Sequence, residues 1–293
     1  MMKKKFFLEK RNCTSDRLLD TDHVTVNWGL DSAKMLDSLQ KHIIPQEYRE
    51  RIYVKFRSRE EFQHIYKEYD FLREYEIFLN EMCAQTGEIQ YPCYCEVCGS
   101  TRNMIVLSSD YIDGHYDAPN WRETVICPDC GFNNHLRFLI GKIQKDYENG
   151  MRLLIFEDDA MLYDHVRKKF PGAEAAHIGP GIGLTADFDV CYEQNKWCDG
   201  EFQMVIANDI WEKVGNFDEL LKKISKIVAR DGKLIFTTVF DANSDVSRKG
   251  VFGWDILNRL KDCGFEEAYA VTEPSIKDGY LGYLPIYFEA IKK

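Results

Sequence analysis

The sequence lacks any apolar run of about 20 residues, the length that a helix needs to cross a bilayer. Its first apolar stretch, Phe6 to Leu8, is far shorter than the core of a signal peptide, and charged residues follow it at once. There is no internal repeat and no low-complexity segment. These absences exclude a helical membrane protein from the interpretation, and we expect a cytoplasmic globular protein.

The chain also lacks an excess of basic charge. Its 38 Lys and Arg residues are outnumbered by 48 Asp and Glu residues, which gives a formal net charge of −10. Nucleic-acid binding requires a basic face that neutralises phosphates, so the balance disfavours a nucleic-acid partner. Residues 1–60 are more basic than the rest, and a solvated surface explains this better than a binding face.

The cysteine pattern indicates metal binding rather than disulfides. Four of the ten cysteines form two Cys-x-x-Cys-Gly motifs, at 95–99 and 127–131. Four thiolates complete a tetrahedral shell around zinc, and each glycine allows the turn that brings the backbone back towards the sulfur atoms. A redox pair and buried free thiols are the alternatives. Because a closed shell has no open position for substrate, we predict a structural zinc bound by Cys95, Cys98, Cys127 and Cys130.

Composition and periodicity predict three consecutive parts: a helical N-terminal region (1–90), a zinc-binding module (91–140) and a Rossmann-like domain (141–293). Helical periodicity is clearest from Ser58 to Met82, where aromatic and aliphatic residues recur at three- and four-residue spacing. From Arg152 onward, strand-like runs alternate with helical ones. This alternation predicts an α/β fold with a doubly wound, mostly parallel sheet.

A Gly-x-Gly-x-Gly stretch, Gly179 to Gly183, resembles a cofactor loop, but by itself it is a weak signal. It cannot follow the first strand of the sheet, because residues 184–202 are too few and too polar to hold the elements that must come next. A sheet that starts at "RLLIFED" makes "AEAAHIG" the second strand, "LTADFDV" the third and "FQMVIAND" the fourth. Their carboxyl ends meet at the crevice where open α/β sheets bind ligands. The residues placed there are Glu157, Asp158, Gly179, Asp187, Phe188, Asn208 and Asp209.

Residues 91–293 resemble the class I methyltransferases that use S-adenosylmethionine (SAM) and carry an N-terminal zinc-knuckle segment. The likeness rests on several motifs together: Trp-Arg-Glu before the second knuckle, an acid ending the first strand, Asp after the third, Glu-x-Val after the fourth, and Gly-Trp-Asp near the end. The matching residues are Trp121, Arg122, Glu123, Glu157, Asp187, Glu212, Val214, Gly253, Trp254 and Asp255.

The resemblance implies a SAM-dependent methyltransferase with a cofactor site at the strand ends. Asp187 would bind the adenine amino group, with Phe188 against the ring. Glu157 and Asp158 would approach the ribose or the methionine part, beside the turn that starts at Gly179. For each acid the alternative is a solvated or helix-capping carboxylate.

The catalytic residues implied by the resemblance follow the fourth strand. Asn208 and Asp209 would face the methyl group, and Asp209 or Glu212 would orient or deprotonate an acceptor. We expect a small-molecule or glycan-linked acceptor, and the sequence does not specify an oligomeric state.

The chain departs from the family pattern at several polar positions. Ala176 and His177 stand where an acid usually binds the ribose hydroxyls, Ala186 replaces the acid before Asp187, and Lys213 replaces a histidine. A lone histidine beside a glycine turn is more often a structural hydrogen-bonding group than a base. The rival hypothesis is therefore a non-catalytic binding or scaffold protein that keeps the fold and the zinc module.

Overall fold

The structure, a computed structural model, describes residues 51–107, 121–157, 161–178, 188–211, 214–248, 250–282 and 287–293. The chain forms two compact units whose segments alternate in sequence. The first unit contains Arg51, Tyr69–Asn134 and Ser275–Gly282, and the second contains Ile52–Glu68, His135–Pro274 and Tyr283–Lys293. The predicted parts, 1–90, 91–140 and 141–293, are instead consecutive. No helix among the described residues is long and apolar enough to cross a membrane.

The secondary structure mixes short strands with helices. The strands are β1 Val54–Phe56, β2 Glu88–Cys95, β3 Ser100–Leu107, β4 Leu153–Phe156, β5 Glu174–Ala176, β6 Phe202–Asn208, β7 Val228–Thr237, β8 Glu267–Thr272 and β9 Tyr287–Ile291. The helices are α1 Arg59–Glu68, α2 Asp70–Thr86, α3 Asn134–Asp146, α4 Met161–Lys169, α5 Phe188–Glu193, α6 Phe217–Ile227 and α7 Ile256–Asp262.

The second unit is built on a seven-stranded sheet in the order β1-β8-β9-β7-β6-β4-β5. Strands β5, β4, β6 and β7 are parallel to one another. Strand β9 runs antiparallel to β7, β8 runs antiparallel to β9, and β1 runs antiparallel to β8. Every residue of β4 is buried, as expected for an apolar strand with a parallel neighbour on each side. The predicted Rossmann-like α/β fold class is confirmed.

The predicted strands at "RLLIFED", "AEAAHIG" and "FQMVIAND" are confirmed as β4, β5 and β6. The predicted third strand is wrong where the structure describes it, because Phe188 begins helix α5; residues 184–187 lie outside the described residues. The apolar residues at 188, 191 and 192 have helical spacing, and a short mixed segment does not distinguish helix from strand. Helix α6 ends at Ile227, and β7 begins at the next residue, Val228.

The region predicted to be helical contains one strand of the large sheet. Strand β1 pairs with β8, from Val54 opposite Thr272 to Phe56 opposite Ala270. The predicted helical stretch from Ser58 to Met82 is confirmed as α1 and α2, with Tyr69 between them. On α1, Phe62 packs against Trp254, with ring centroids 5.4 Å apart.

The first unit contains a β2–β3 hairpin that the sequence analysis does not predict. The hairpin is antiparallel over its full length, from Glu88 opposite Leu107 to Cys95 opposite Ser100. Residues of β2 are alternately exposed and buried, with Ile89, Tyr91 and Cys95 facing inward. This period-two pattern is the signal that marks a half-buried strand.

Candidate functional site

The four cysteines of the two motifs form one cluster in the first unit. The Sγ atoms of Cys95 and Cys130 are 3.9 Å apart, and those of Cys98 and Cys127 are 3.7 Å apart. A tetrahedral zinc with Zn–S bonds of about 2.3 Å places its sulfur atoms roughly 3.8 Å from one another. The spacing therefore fits a four-thiolate metal site, and these cysteines form no disulfide.

The hairpin supplies half of this cluster. The first motif is the turn between β2 and β3: Gly99 donates its N–H to the Cys95 carbonyl at 2.8 Å and has a φ of +70°. The second motif repeats the geometry, since Gly131 donates to Cys127 at 2.9 Å with a φ of +74°. Both glycines occupy the left-handed region that disfavours a side chain, which explains the glycine in each motif.

Two thiols of the cluster, those of Cys98 and Cys130, favour the neutral state because their pKa values are raised. Burial, together with the neighbouring Cys127 thiol, raises the pKa of Cys98 to about 11. Hydrogen bonding to Cys95 and burial raise the pKa of Cys130 as well. Crowded thiolates repel one another, so a cation with two positive charges is the partner that this arrangement accommodates.

The second candidate site is the carboxyl edge of the parallel strands in the second unit. Phe156 at the end of β4 pairs with Ala176 of β5 on one side and with Ala207 of β6 on the other. The next residue of each strand, Glu157, His177 and Asn208, therefore lies at the same edge. This is the rim on which open α/β sheets bind their ligands.

The Glu157 carboxylate is almost completely buried and already has partners. Its Oε1 accepts a hydrogen bond from the Tyr163 N–H at 2.7 Å, and its Oε2 accepts one from the Leu162 N–H at 3.1 Å. It thereby satisfies unpaired donors of the first turn of α4 and lies at the positive end of that helix. This helix-capping role is the alternative to cofactor binding for the acid that ends the first strand.

Asn208 and Asp209 are held by the neighbouring strand. The Thr237 hydroxyl at the end of β7 lies 3.0 Å from Asn208 Oδ1 and 2.9 Å from Asp209 Oδ1, and it accepts the Asp209 N–H at 3.2 Å. Asp209 has a φ of +49°, and its Oδ2 lies 3.3 Å from Nε2 of His135, near the start of α3. The catalytic role of Asp209 and the methyl-facing role of Asn208 remain predictions.

Phe188 and His177 have structural contacts beside this rim. The Phe188 ring has no exposed surface and packs edge-on against Phe156, with centroids 5.0 Å apart. Its N–H donates to the His177 carbonyl at 2.8 Å, and His177 Nδ1 lies 3.5 Å from the Glu157 carbonyl oxygen. The contact of Phe188 with adenine stays a prediction, and His177 has the structural contacts expected of a lone histidine.

Four predicted site residues lie outside the described residues: Asp158, Gly179, Asp187 and Glu212. The placement of the glycine turn beside Glu157 is likewise untested. The roles of these four residues in binding the cofactor or the acceptor therefore remain predictions from the resemblance.

Two motifs of the resemblance have structural roles where they are described. In the first unit, Asn134 donates its side-chain N–H to the Trp121 carbonyl at 2.8 Å, and Asn133 donates to Glu123 at 2.7 Å. In the second unit, Trp254 donates its indole N–H to the Ala242 carbonyl at 2.9 Å. These contacts hold the loops that carry the two motifs.

Sequence reasoning does not identify His135 and Thr237. His135 lies in the segment after the second cysteine motif, and both His135 and Thr237 are distant in sequence from Asp209, which they contact. Of these two residues, only Thr237 has a sequence pattern that indicates a site residue, because it is a polar residue at the end of an apolar strand next to the predicted fourth strand.

No protein-family model and no curated protein matches this sequence. Several similar solved structures are methyltransferases by name, and another is the [4+2]-cyclase SpnF, which is 14% identical with a TM-score of 0.34, covering 45% of this chain and 58% of that one. The CurJ carbon methyltransferase is 14% identical with a TM-score of 0.36, and 52% of each chain is covered. A putative O-methyltransferase from Nostoc punctiforme is 11% identical with a TM-score of 0.36, covering 52% of this chain and 55% of that one. This chain thus spans about half the length of both.

Proposed function

We propose that this chain is a SAM-dependent methyltransferase with a structural zinc, acting on a small-molecule or glycan-linked acceptor. The observation that carries the proposal is the rim at the carboxyl ends of β4, β5 and β6, which brings Glu157, His177, Asn208 and Asp209 to one edge of the sheet. The motif resemblance of residues 91–293 supports the choice of cofactor.

The proposed reaction requires positioning more than chemistry from side chains. Bound SAM supplies a methyl group on a sulfonium, and an enzyme accelerates its in-line transfer by holding donor and acceptor in a near-attack geometry. Asp187 and Phe188 would bind the adenine, and Glu157, Asp158 and the turn at Gly179 the rest of the cofactor. Asn208 would line the methyl position, while Asp209 or Glu212 would orient or deprotonate the acceptor.

SAM binding tests the proposal directly. Titration calorimetry of the zinc-loaded chain should show SAM and S-adenosylhomocysteine binding with Kd values on the order of 100 µM. The affinity is weak because the second strand ends without a carboxylate for the ribose hydroxyls, a pair of charge-assisted hydrogen bonds that contributes about 1.5 to 3 kcal/mol.

A variant pair makes this experiment specific. Asp187→Ala should abolish binding. Asp189→Ala should leave it unchanged, because Asp189 is exposed and pairs with Lys223 at 2.9 Å. Absence of heat at millimolar SAM would exclude a SAM-dependent enzyme.

A non-catalytic scaffold is the second candidate, and one observation favours it. Both carboxylate oxygens of Glu157 are engaged by α4, so the acid that ends the first strand serves the fold. A chain that binds neither SAM nor S-adenosylhomocysteine but still binds zinc would support the scaffold.

The metal proposal has its own experiment. Elemental analysis of freshly purified protein should find about one zinc per chain. Cys127→Ser should lose the metal and the fold of the first unit together, because metal-binding energy is folding energy in such modules. Cys198→Ser is the matched control, since Cys198 is exposed and lies outside the cluster. Protein that is folded without any metal would refute the assignment.

A further inference from the structure

Two side chains outside the resemblance motifs hold the Asp209 carboxylate within the second unit. His135 Nε2 lies 3.3 Å from Oδ2, and the Thr237 hydroxyl lies 2.9 Å from Oδ1. With its proton on Nε2, the imidazole donates a hydrogen bond to Oδ2 while the hydroxyl donates to Oδ1. Each oxygen of the carboxylate is thus approached by its own donor, and this fixes the plane of the group.

The backbone of Asp209 is also held in an uncommon conformation. Its φ of +49° lies in the left-handed region, which costs a residue with a side chain about 1 kcal/mol or more. The Asp209 N–H donates to Thr237 Oγ1 at 3.2 Å, so the same threonine holds both the backbone and the side chain. Strain that the surroundings maintain in this way is common at functional sites.

His135 and Asp209 differ in exposure, and the difference shows which of the two side chains a ligand can reach. The His135 side chain is 4% exposed, whereas the Asp209 side chain is 29% exposed. The histidine therefore lies behind the carboxylate, and the carboxylate is the group that a ligand at the rim can reach. Asp209 follows β6, an inner strand of the sheet that lies between β4 and β7.

We infer that His135 and Thr237 are positioning residues that aim the Asp209 carboxylate at the methyl group and at the N–H or O–H of the acceptor. The inference rests on the proposed function. As the acceptor's lone pair bonds to the methyl carbon, the carbon–sulfur electron pair leaves with the thioether and the acceptor's proton passes to Asp209. Asp209 touches the substrate in this scheme, and the other two residues act through it.

Two cofactor-site ligands test the inference without a known acceptor. S-adenosylhomocysteine has a bare thioether where the methyl group is transferred, whereas sinefungin carries an ammonium group there. A carboxylate aimed at that position forms a charge-assisted hydrogen bond with the ammonium. In calorimetry on the zinc-loaded full chain, sinefungin should therefore bind about tenfold more tightly than S-adenosylhomocysteine.

The variants separate positioning from folding. Asp209→Asn should reduce the sinefungin preference to about onefold while the Kd of S-adenosylhomocysteine stays within twofold. His135→Leu and Thr237→Val should each lower the preference at least threefold. His135→Gln and Thr237→Ser should retain it, because each keeps a donor to the carboxylate. His64→Leu is the control for histidine loss, since His64 is exposed on α1.

Each outcome has a distinct meaning. A full sinefungin preference in Asp209→Asn that still binds S-adenosylhomocysteine would overturn the placement of the carboxylate. A full preference in folded His135→Leu and Thr237→Val would overturn the positioning roles. If the wild-type chain binds neither ligand, the proposed function fails and the inference fails with it, and the flat S-adenosylhomocysteine isotherm identifies that case.

Discussion

At the scale of the residue, each unit contains a buried glutamate, and the two differ in how many hydrogen bonds they accept. Glu157 is buried, and its two oxygens each accept a backbone N–H at the start of α4. Glu76, on α2 of the first unit, is also buried, but among the described residues only its Oε1 accepts a hydrogen bond, from the Gly282 N–H at 2.8 Å. Burial raises the pKa of Glu76 to about 8.

The raised pKa of Glu76 makes stability depend on pH. The folded state holds this proton up to about pH 8, whereas the unfolded state releases it near the ordinary value of 4.5. The folded state therefore binds more protons between these values, and stability falls as pH rises through the interval. The contribution is fully present below the unfolded pKa and is lost as pH reaches the folded pKa.

We predict that Glu76→Gln removes this dependence. The amide oxygen can still accept from Gly282, and no buried charge forms at high pH. The wild type should lose up to about 1.4 kcal/mol of stability per pH unit relative to the variant between about pH 5 and pH 8. Urea unfolding at several pH values measures the difference. Glu88→Gln is the control, because Glu88 is exposed on β2. Parallel stability curves for wild type and Glu76→Gln would contradict the prediction.

At the scale of the element, the Gly-Trp-Asp motif closes the loop between β7 and α7. The Asp255 carboxylate accepts the Ser247 N–H at 2.8 Å, and Gly253 lies where the backbone of Ser244 and Val246 crosses. A Cβ on Gly253 would lie 2.7 Å from the Ser244 carbonyl oxygen and 2.8 Å from the Val246 nitrogen. The motif therefore needs glycine because two backbone segments make close contact.

Gly253→Ala should consequently destabilise the second unit by about 1 to 3 kcal/mol, since backbone atoms cannot move aside as a flexible side chain does. Gly215→Ala should change the free energy of unfolding by less than about 0.5 kcal/mol, because a Cβ there has open space around it. Urea denaturation of both variants measures the effect. Equal stabilities would show that the loop accommodates the methyl group.

At the scale of the whole molecule, the units do not follow the order of the chain. Strand β1 and helix α1 lie in sequence between Arg51 and Tyr69, which both belong to the first unit, but they are part of the second, where β1 covers the edge of β8. An exposed strand edge and an uncovered apolar surface both promote aggregation. A fragment chosen from sequence alone would therefore omit part of the sheet.

We predict that residues 135–293 alone fold poorly and that attaching residues 51–68 through a flexible linker rescues them. The attached segment restores the β1–β8 pairing and the contact of Phe62 with Trp254. Thermal unfolding and dye binding to exposed apolar surface compare the two fragments. A sharp transition for 135–293 without the added segment would contradict the assignment of β1 and α1.

The sequence by itself determined the cysteine cluster, the α/β fold class and the positions of β4, β5 and β6. These features depend on local spacing, because a Cys-x-x-Cys turn and an apolar run act over a few residues. For the same reason the short segment at Phe188 was assigned wrongly, since its local pattern fits a helix as well as a strand.

Only the tertiary structure decided which way side chains face and which distant residues meet. Ala176 stands where the resemblance expects a ribose-binding acid, but it lies in the core beside Phe156. The residue of this strand at the rim is therefore His177. His135 meets Asp209 only because α3 and β6 belong to the same folded unit. The physical reason is that burial and long-range hydrogen bonds depend on the packing of whole elements, which no local pattern encodes.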